Sequence, residues 1–372
     1  EKTSSIEAGF EAAFWDNRLY LDFTYYKTDS RNQILKLATT AASGYTSQVR
    51  NAGHIRNRGY EIQLGAVPIQ TSKGFRWNLD LNYGANSSKV VKLDDEGLIT
   101  SYQLYSSGIQ ILASVGEAYG TLFGTSYVRD ANGNVVVDAN GLPKISTTNK
   151  TLGKFTPDWT GGISNTFSYR SLSLSFLIDA SVGGSIFSNT NKTGKYTGVL
   201  ANTLSGRDAE HGGLWYYTDA MGNNVRLSES PSYSVSSDGL YYAQVNGQST
   251  RVYQDGIMVE GVTESGSKNE EVVSAEKYYH RIYSIAEANV YDASYVKLRE
   301  VALSYRLPRL WTQKLHLQEA SVTLTGRNLW TIYKSVPNID PESALTTGNA
   351  QGVEAYSLPT TRSFGVNLSV KF

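Results

Sequence analysis

The sequence alternates between apolar and polar residues, with a period of two, along nine long segments. Between residues 364 and 372, for example, phenylalanine, valine or leucine occupies every second position, and polar residues or glycine stand between them. Successive side chains of a β-strand point to opposite faces, so this pattern predicts strands rather than helices. The predicted strands cover residues 3–15, 18–37, 55–70, 74–89, 158–170, 172–183, 294–306, 319–331 and 361–372. In the seventh strand the phase slips once near Arg299, which predicts a β-bulge.

The connections between the predicted strands alternate between short and long. The short ones lie around residues 15–17, 71–73, 170–171 and 308–316. The long ones lie around residues 38–54, 90–157, 184–293 and 332–360. Short turns at one end and long loops at the other are typical of outer-membrane barrels, whereas a β-sandwich has short turns at both ends. The sequence therefore favours an all-β fold, a transmembrane antiparallel β-barrel with long extracellular loops.

The polar face and the aromatic residues support a membrane location. Asn, Ser, Thr, Gly, Asp and Arg recur on the polar face of the strands, which indicates that it lines a wet space. Aromatic residues gather near the strand ends, where their rings suit the two headgroup levels of a bilayer. Those near the short turns are Phe14, Trp15, Phe75, Trp77 and Tyr169, and those near the long loops are Tyr25, Tyr26, Tyr83, Trp159 and Tyr333. The alternative is a soluble sheet covered by ordinary strand aromatics.

Composition argues against several classes of function. The chain has 34 Lys and Arg and 34 Asp and Glu, so its formal net charge is zero, unlike that of a general nucleic-acid binder. It has no cysteine, which excludes disulfide scaffolds, zinc ribbons and thiol catalysis. Four isolated histidines leave little room for a histidine metal centre. No cofactor, metal site or nucleic-acid partner is therefore predicted.

Nine strands are an odd number, and bacterial single-chain barrels have even numbers. An open sheet edge in lipid would leave backbone N–H and C=O groups unpaired, at several kcal/mol each. We therefore expect residues 1–372 to be the C-terminal part of a larger barrel. The alternative is that a long loop contains a tenth strand, for instance within residues 100–128.

Several segments resemble SusC/RagA-family TonB-dependent transporters. Residues 51–69 resemble an Asn-x-Gly…Asn-x-Gly-x-Glu run, and residues 292–308 contain the pattern Tyr-x-x-Leu-Arg followed by Leu-Pro. Residues 326–342 are similar to a Gly-Arg-Asn-Leu strand end followed by an Asp-Pro-Glu loop. Residues 206–214 resemble a surface-loop segment, and residues 358–372 resemble a last strand that ends in Phe.

The resemblance implies a barrel of about 22 strands with a plugged lumen, of which this chain supplies the last nine. It also implies outer-membrane localisation, contact with TonB through an N-terminal part that this chain lacks, and a SusD-like lipoprotein lid. The implied function is active import of an oligosaccharide or peptide, and not catalysis. Alternative functions are a TonB-dependent siderophore or vitamin receptor, a passive porin, and a soluble lectin or adhesin.

Candidate substrate-binding residues lie on the predicted strands and in the longest loop, residues 184–293. The polar positions expected to line the lumen are Arg76, Asn78, Asp80, Asp179, Arg327 and Asn367. In the loop, the rings of Trp215, Tyr216 and Tyr217 are suited to stacking on sugars or gripping peptides. The alternative is that these aromatics build a small core for the loop itself.

Two polar clusters resemble other kinds of site. Residues 129–144 contain acids and glycines in the manner of a calcium loop, but Gly141 stands where an EF-hand requires glutamate, so tight turns are predicted instead. Arg207, Asp208, Glu210 and His211 crowd together, but no nucleophile with its base and oxyanion donors accompanies them. We expect these four residues to form ion pairs within the loop, or to contact the lid protein.

Overall fold

The computed structural model describes residues 1–38, 44–45, 47–314 and 316–372. Its main element is a nine-stranded antiparallel sheet whose strands follow chain order, here called the wall. Its strands are β1 (Lys2–Phe14), β2 (Leu19–Ala38), β3 (Ser47–Gln70), β4 (Phe75–Lys92), β5 (Trp159–Tyr169), β6 (Leu172–Val182), β7 (Tyr295–Arg306), β8 (Glu319–Lys334) and β9 (Ser363–Lys371). The nine predicted strands are confirmed, and the all-β class with them.

The pairing register gives the wall one polar and one apolar face. Residues paired across antiparallel strands share a face. One row of pairs runs across the polar face through Arg76, Ser168, Ser173, Ser304, Thr323 and Asn367. A second row runs through Asp80, Ser164, Leu177, Glu300 and Arg327. The six positions predicted to line the lumen therefore lie on the same face.

Aromatic rings form two rows on the apolar face. Near the short connections, the ring of Phe167 lies 5.6 Å from that of Trp77 and 6.2 Å from that of Phe176. Near the long connections, the ring of Tyr83 lies 6.0 Å from that of Tyr60 and 5.4 Å from that of Trp159. This second set is called the outer aromatic row.

Tyr26 lies near the long connections, as predicted, but it does not belong to the outer aromatic row. Tyr25 pairs with Tyr60 on the apolar face, so its neighbour Tyr26 points to the other face. There its hydroxyl donates a hydrogen bond of 3.2 Å to Oδ1 of Asn86. Aromatic content alone does not reveal the face on which a ring lies.

The predicted β-bulge at Arg299 is confirmed. On β6, the consecutive residues Leu177 and Ile178 pair with Glu300 and Leu298 of β7, which leaves Arg299 as the extra residue. The register also shifts at this point on the side of β8. The bulge keeps Lys297, Arg299 and Glu300 all available to the polar face.

The wall strands differ in length, which corrects one predicted loop. β5 and β6 have 11 residues each, close to the roughly 9–11 of a membrane-spanning strand. β2 and β3 have 20 and 24 residues, so they continue well beyond that length. Most of the loop predicted at residues 38–54 is therefore strand, because β3 begins at Ser47; residues 39–43 and 46 lie outside the described residues.

The long connections carry their own secondary structure. Residues 93–158 contain the strands Ser101–Ser106, Gln110–Ser114, Tyr119–Gly124 and Lys150–Lys154, which form a separate four-stranded sheet. A tenth wall strand within residues 100–128 is thus contradicted. The connection between β8 and β9 contains the short strand Val353–Glu354.

Residues 183–294 form the longest connection. Its strands are Ser185–Ser188, Leu214–Thr218, Asn224–Arg226, Tyr233–Val235, Tyr241–Val245, Gln248–Ile257, Val273–Ser274 and Val290–Asp292. Its helices are α1 (Asn189–Thr197) and α2 (Ala275–Tyr283), and α3 (Arg309–Lys314) follows in the connection between β7 and β8. No helix in the described ranges is long and apolar enough to cross a membrane.

Candidate functional site

Five charged side chains join the last long connection to the polar face of the wall. Nζ of Lys297 lies 2.6 Å from Oδ1 of Asp340 and 2.5 Å from Oε2 of Glu342. The guanidinium of Arg299 donates to Asp179 at 2.7 Å and also to Glu342. The side chains of Lys297 and Asp340 are only 3 % and 8 % exposed. This set of residues, called the ion-pair cluster, fixes the connection to β6 and β7.

The surroundings of Asp340 keep its carboxylate charged. Burial disfavours the charged form, but hydrogen bonds from Lys297 and from the hydroxyl of Thr360 outweigh it and lower the pKa of Asp340 to about 2. The backbone N–H of Glu342 also donates to Oδ1 of Asp340, at 3.0 Å. The Asp-Pro-Glu segment thus bonds within itself and to the wall at the same time.

The ion-pair cluster unites two segments that the sequence analysis had treated separately. Lys297 and Arg299 come from the Tyr-x-x-Leu-Arg strand, and Asp340 and Glu342 come from the Asp-Pro-Glu loop. This contact was not predicted from the sequence. A signal was present, since two bases stand two residues apart on a strand and two acids stand two residues apart in the following loop.

A shallow groove lies on the polar face beside the ion-pair cluster. It consists of two adjoining hollows of about 410 and about 300 Å³ that share Gln63, Asn82, Gly162 and Leu177. The larger hollow also contacts Glu61, Asp179 and Tyr295, and the smaller one contacts Tyr20 and Asp80. The groove therefore spans β2 to β7 and offers carboxylates, amides and phenol hydroxyls.

Glycines on the polar face create the depth of this groove. Gly162 pairs with Asn82 on one side and with Asp179 on the other. The two neighbouring strands thus have polar side chains at this level, and β5 has none. A Cβ atom at Gly162 would lie only 2.8 Å from Oδ1 of Asn82. Gly65 and Gly84 line the same groove. Without these side chains, a ligand can approach the strands closely.

The groove is acidic. Within the described ranges, neither Glu61 nor Asp80 has a basic group at ion-pair distance, whereas Asp179 is paired with Arg299. Ionised carboxylates only accept hydrogen bonds, and so do the carbonyl oxygens of Gln63 and Asn82. The groove is suited to a ligand rich in N–H or O–H donors, and its charge favours a basic one.

The predicted wall residues take up different places around this groove. Asp80 lines it, whereas Arg76 donates at 2.8 Å to Oδ1 of Asn78, nearer the short connections. Arg327 lies in the same row as Asp80 but on β8, where it donates at 2.8 Å to Oε2 of Glu300. Substrate binding by these three residues stays a prediction.

Six of the strands of the longest connection form a separate sheet, and the three candidate aromatic residues pack against other residues of this sheet. Trp215 is 7 % exposed, and its ring lies 5.1 Å from that of Tyr233. Tyr216 is 4 % exposed; its ring lies 5.0 Å from that of Tyr253, and its hydroxyl donates to Asp255 at 3.2 Å. Tyr217 packs against the Trp215 core. This placement fits the alternative of a small loop core, and substrate stacking by these residues stays a prediction.

The other two polar clusters form local turns and pairs. Oδ1 of Asp130 and of Asp138 accepts hydrogen bonds from backbone N–H groups two and four residues further on, which confirms the predicted tight turns. His211 Nδ1 lies 2.7 Å from Oδ1 of Asp208, and Arg207 donates to Thr203 Oγ1 at 2.9 Å. In the described ranges, no group of three or more His, Asp or Glu residues is placed to hold a metal ion.

A second opening lies among the long connections. It has a volume of about 700 Å³ and is lined by aromatic and apolar residues that include Tyr278, Tyr279, Leu214 and Met258. Lys195 borders it, and burial lowers the pKa of this lysine to about 8. This cleft was not predicted from the sequence, because its walls come from connections far apart in the chain.

Comparisons with known proteins support the fold and the family resemblance. The chain is 26 % identical over 401 residues to TonB-dependent receptor P3 of Formosa agariphila, and 24 % identical over 400 residues to TonB-dependent receptor P26 of the same organism. Each match covers 100 % of this chain and 34 % of the relative. The chain thus spans about a third of the length of these curated relatives. No family model matches it.

Solved structures show the same architecture. The RagAB peptide transporter matches with a TM-score of 0.61 and 20 % identity, over 100 % of this chain and 35 % of that chain. The RagAB peptide importer in the "open-open" state matches with a TM-score of 0.62 and 17 % identity, over 100 % of this chain and 34 % of that chain. The predicted fold, a portion of a transmembrane barrel, is confirmed. So is the resemblance to SusC/RagA-family TonB-dependent transporters, in the C-terminal part of the barrel.

Proposed function

We propose that this chain forms the C-terminal part of the barrel wall of a transporter that imports an oligomeric nutrient across the outer membrane. The whole-chain similarity to TonB-dependent receptors supports this function. The observation that carries it is the acidic, glycine-lined groove on the polar face, beside a loop fixed by buried ion pairs. The relatives are receptors and transporters, so no catalytic role is proposed.

The proposed cargo is an oligopeptide or an oligosaccharide. Both carry many N–H or O–H donors that the groove's oxygen atoms accept. The unpaired carboxylates of Glu61 and Asp80 favour a peptide with basic side chains over a neutral glycan. Arg76 and Arg327 are proposed to flank the cargo path, and Trp215, Tyr216 and Tyr217 to support it from within the loop core.

The proposed partners follow from the same resemblance. A SusD-like lipoprotein would cover the mouth of the barrel, where residues 184–293 and the other long connections would lie outside the cell. TonB would supply energy through an N-terminal part of the whole transporter. The short connections, including the one that contains α3, would then face the periplasm.

Uptake by living cells tests this function. In the full-length protein, Glu61→Gln/Asp80→Asn removes both unpaired charges, and we expect the uptake of a labelled Lys-containing peptide to fall by about tenfold or more. Uptake of a neutral oligosaccharide should change less than twofold. A matched control is Asp16→Asn/Glu96→Gln, which neutralises two exposed acids away from the groove. Equal loss in both double variants would contradict a role of the groove.

Energy dependence separates the proposal from its alternatives. Uptake through the proposed transporter should stop when TonB is deleted or a protonophore is added. Uptake that continues under both conditions would indicate a passive porin. TonB-dependent uptake of an iron chelate or vitamin, but of no oligomer, would indicate a siderophore or vitamin receptor.

A further inference from the structure

Basic side chains are concentrated on the apolar face of the wall, just beyond the outer aromatic row. They are Lys27, Arg31, Arg56, Arg58 and Lys89, here called the basic patch. Lys27 and Arg58 lie two residues beyond Tyr25 and Tyr60 on β2 and β3, and therefore on the same face as these rings. The patch begins one step beyond the last aromatic side chains.

On β2, β3 and β4, the residues at the same level of the opposite face are uncharged. There the paired residues are Thr28, Asn57 and Ser88, which are polar and neutral. Water is accessible to both faces of strands that extend beyond a membrane, so solvation alone gives no reason for cations to gather on one of them. The sorting of charge to the lipid side is thus a specific property of this patch.

The register brings cations directly opposite each other. Lys27 pairs with Arg58 across β2 and β3, and Arg56 pairs with Lys89 across β3 and β4. Like charges in directly opposed positions destabilise a sheet. An anion that bound between them would remove this repulsion.

The described part of the chain supplies only one acid to the patch. Asp29 Oδ1 lies 2.8 Å from Nε of Arg56 and 2.6 Å from Nε2 of His54. Within the described ranges, no carboxylate lies at ion-pair distance from Lys27, Arg58 or Lys89, and the last two are exposed. Arg31 is exposed and likewise has no carboxylate at ion-pair distance in the described part of the chain, so four of the five cations remain available to an external anion.

The position of the patch identifies the anion. Aromatic rows mark the headgroup levels of a bilayer, so the groups beside Lys27 and Arg58 are lipid headgroups rather than bulk water. Phosphate is a common anionic group there, and a guanidinium binds its oxygens in a bidentate manner. We infer that the basic patch binds the phosphate groups of anionic lipids in the outer leaflet. The inference rests on the membrane placement of the wall and not on the transported cargo.

Native mass spectrometry of the full-length protein in phosphatidylcholine nanodiscs, with and without phosphatidic acid, tests this binding. A basic residue near an anionic surface contributes roughly a fivefold factor in affinity. Lys27→Gln/Arg58→Gln should therefore weaken binding of phosphatidic acid by about thirtyfold. Lys27→Arg/Arg58→Lys, which keeps both charges, should retain binding within a fewfold. Lys73→Gln/Arg309→Gln, two exposed cations in short connections, should bind as the wild type does.

Three results would overturn the inference. One is unchanged phosphatidic acid binding in Lys27→Gln/Arg58→Gln. Another is an equal loss in the Lys73→Gln/Arg309→Gln control, which would show unspecific attraction. The third is that inorganic phosphate, added to pure phosphatidylcholine nanodiscs, binds as tightly as the lipid does, which would indicate a site for free phosphate.

Discussion

The wall and the long connections place their large apolar side chains in opposite environments. On the wall, Phe364 is 81 % exposed on a face with no protein layer described over it, whereas Phe187 in the longest connection is 0 % exposed. Phe187 packs in one cluster with Ile111, Leu122 and Val353, so three long connections share one core. The wall therefore depends on lipid to cover its apolar face, while the connections form cores of their own. Substitutions of the same chemical kind should act differently in the two regions.

The largest expected effect is at the ion-pair cluster, where the two regions meet. Lys297→Met leaves Asp340 and Glu342 charged and half to fully buried without this cation. Removing one partner of a buried pair costs about 3–5 kcal/mol. Hydrogen exchange should show the connection 335–362 opening at that lower free energy, while β1 to β4 stay protected. Lys73→Met, in a short turn, is the control, and equal exchange in the two variants would contradict the role of the cluster.

Truncation of a core side chain sharpens the contrast. Leu122 is fully buried among the connections, whereas Leu368 on β9 is exposed on the apolar face. We expect Leu122→Ala to lower the free energy of unfolding of the connections by about 2–5 kcal/mol. Leu368→Ala leaves no cavity in a protein core and should change unfolding of the reconstituted protein by less than about 1 kcal/mol. Denaturant titrations in the same detergent measure both, and the comparison fails if the two losses are equal.

The wall was predictable from sequence because the alternation of apolar and polar residues within each strand indicates which face contacts lipid. Trp77, Leu79 and Leu81 alternate with polar residues, and nothing distant in the chain is needed to read the pattern. The same logic explains the error at residues 38–54. Beyond the membrane both faces of β2 and β3 contact water, so the adjacent residues Arg50 and Asn51 are both polar and exposed although the backbone stays extended.

The candidate site was predictable only in part. The register places Asp80 on the polar face, as the alternation along β4 predicted. The groove also depends on Gly162, and a glycine has no side chain that would indicate its face. Contacts between different connections are even harder to predict from the sequence. Glu354 accepts hydrogen bonds from Ser188 at 2.7 Å and from Thr190 at 2.6 Å, and these partners are more than 160 residues away in the sequence. No local pattern encodes such a pair.

Acid should weaken the junction between the two regions by an intermediate amount. The pKa of Asp340 is lowered to about 2 in the folded state, against the ordinary value of about 3.9. Its contribution is therefore complete at neutral pH and is lost as the pH falls through about 4 towards 2, a loss of about 2 kcal/mol. Hydrogen exchange or limited proteolysis of residues 335–362 across this range measures it. Asp340→Asn should remove this pH dependence, and a variant that keeps it would assign the effect to another acid.

The smallest expected effect on stability, paired with a clear effect on uptake, lies in the groove. Gly162→Ala places a methyl group 2.8 Å from Oδ1 of Asn82, so the amide must turn into the groove. The end of a flexible side chain moves easily, and alanine adopts extended backbone, so the free energy of unfolding should change by less than about 1 kcal/mol. Uptake of the cargo should nevertheless fall severalfold. Gly365→Ala is the matched control, because it lies on the polar face of β9 with no atom within 4 Å of the added carbon. If both variants transport like the wild type, cargo does not approach the wall at Gly162.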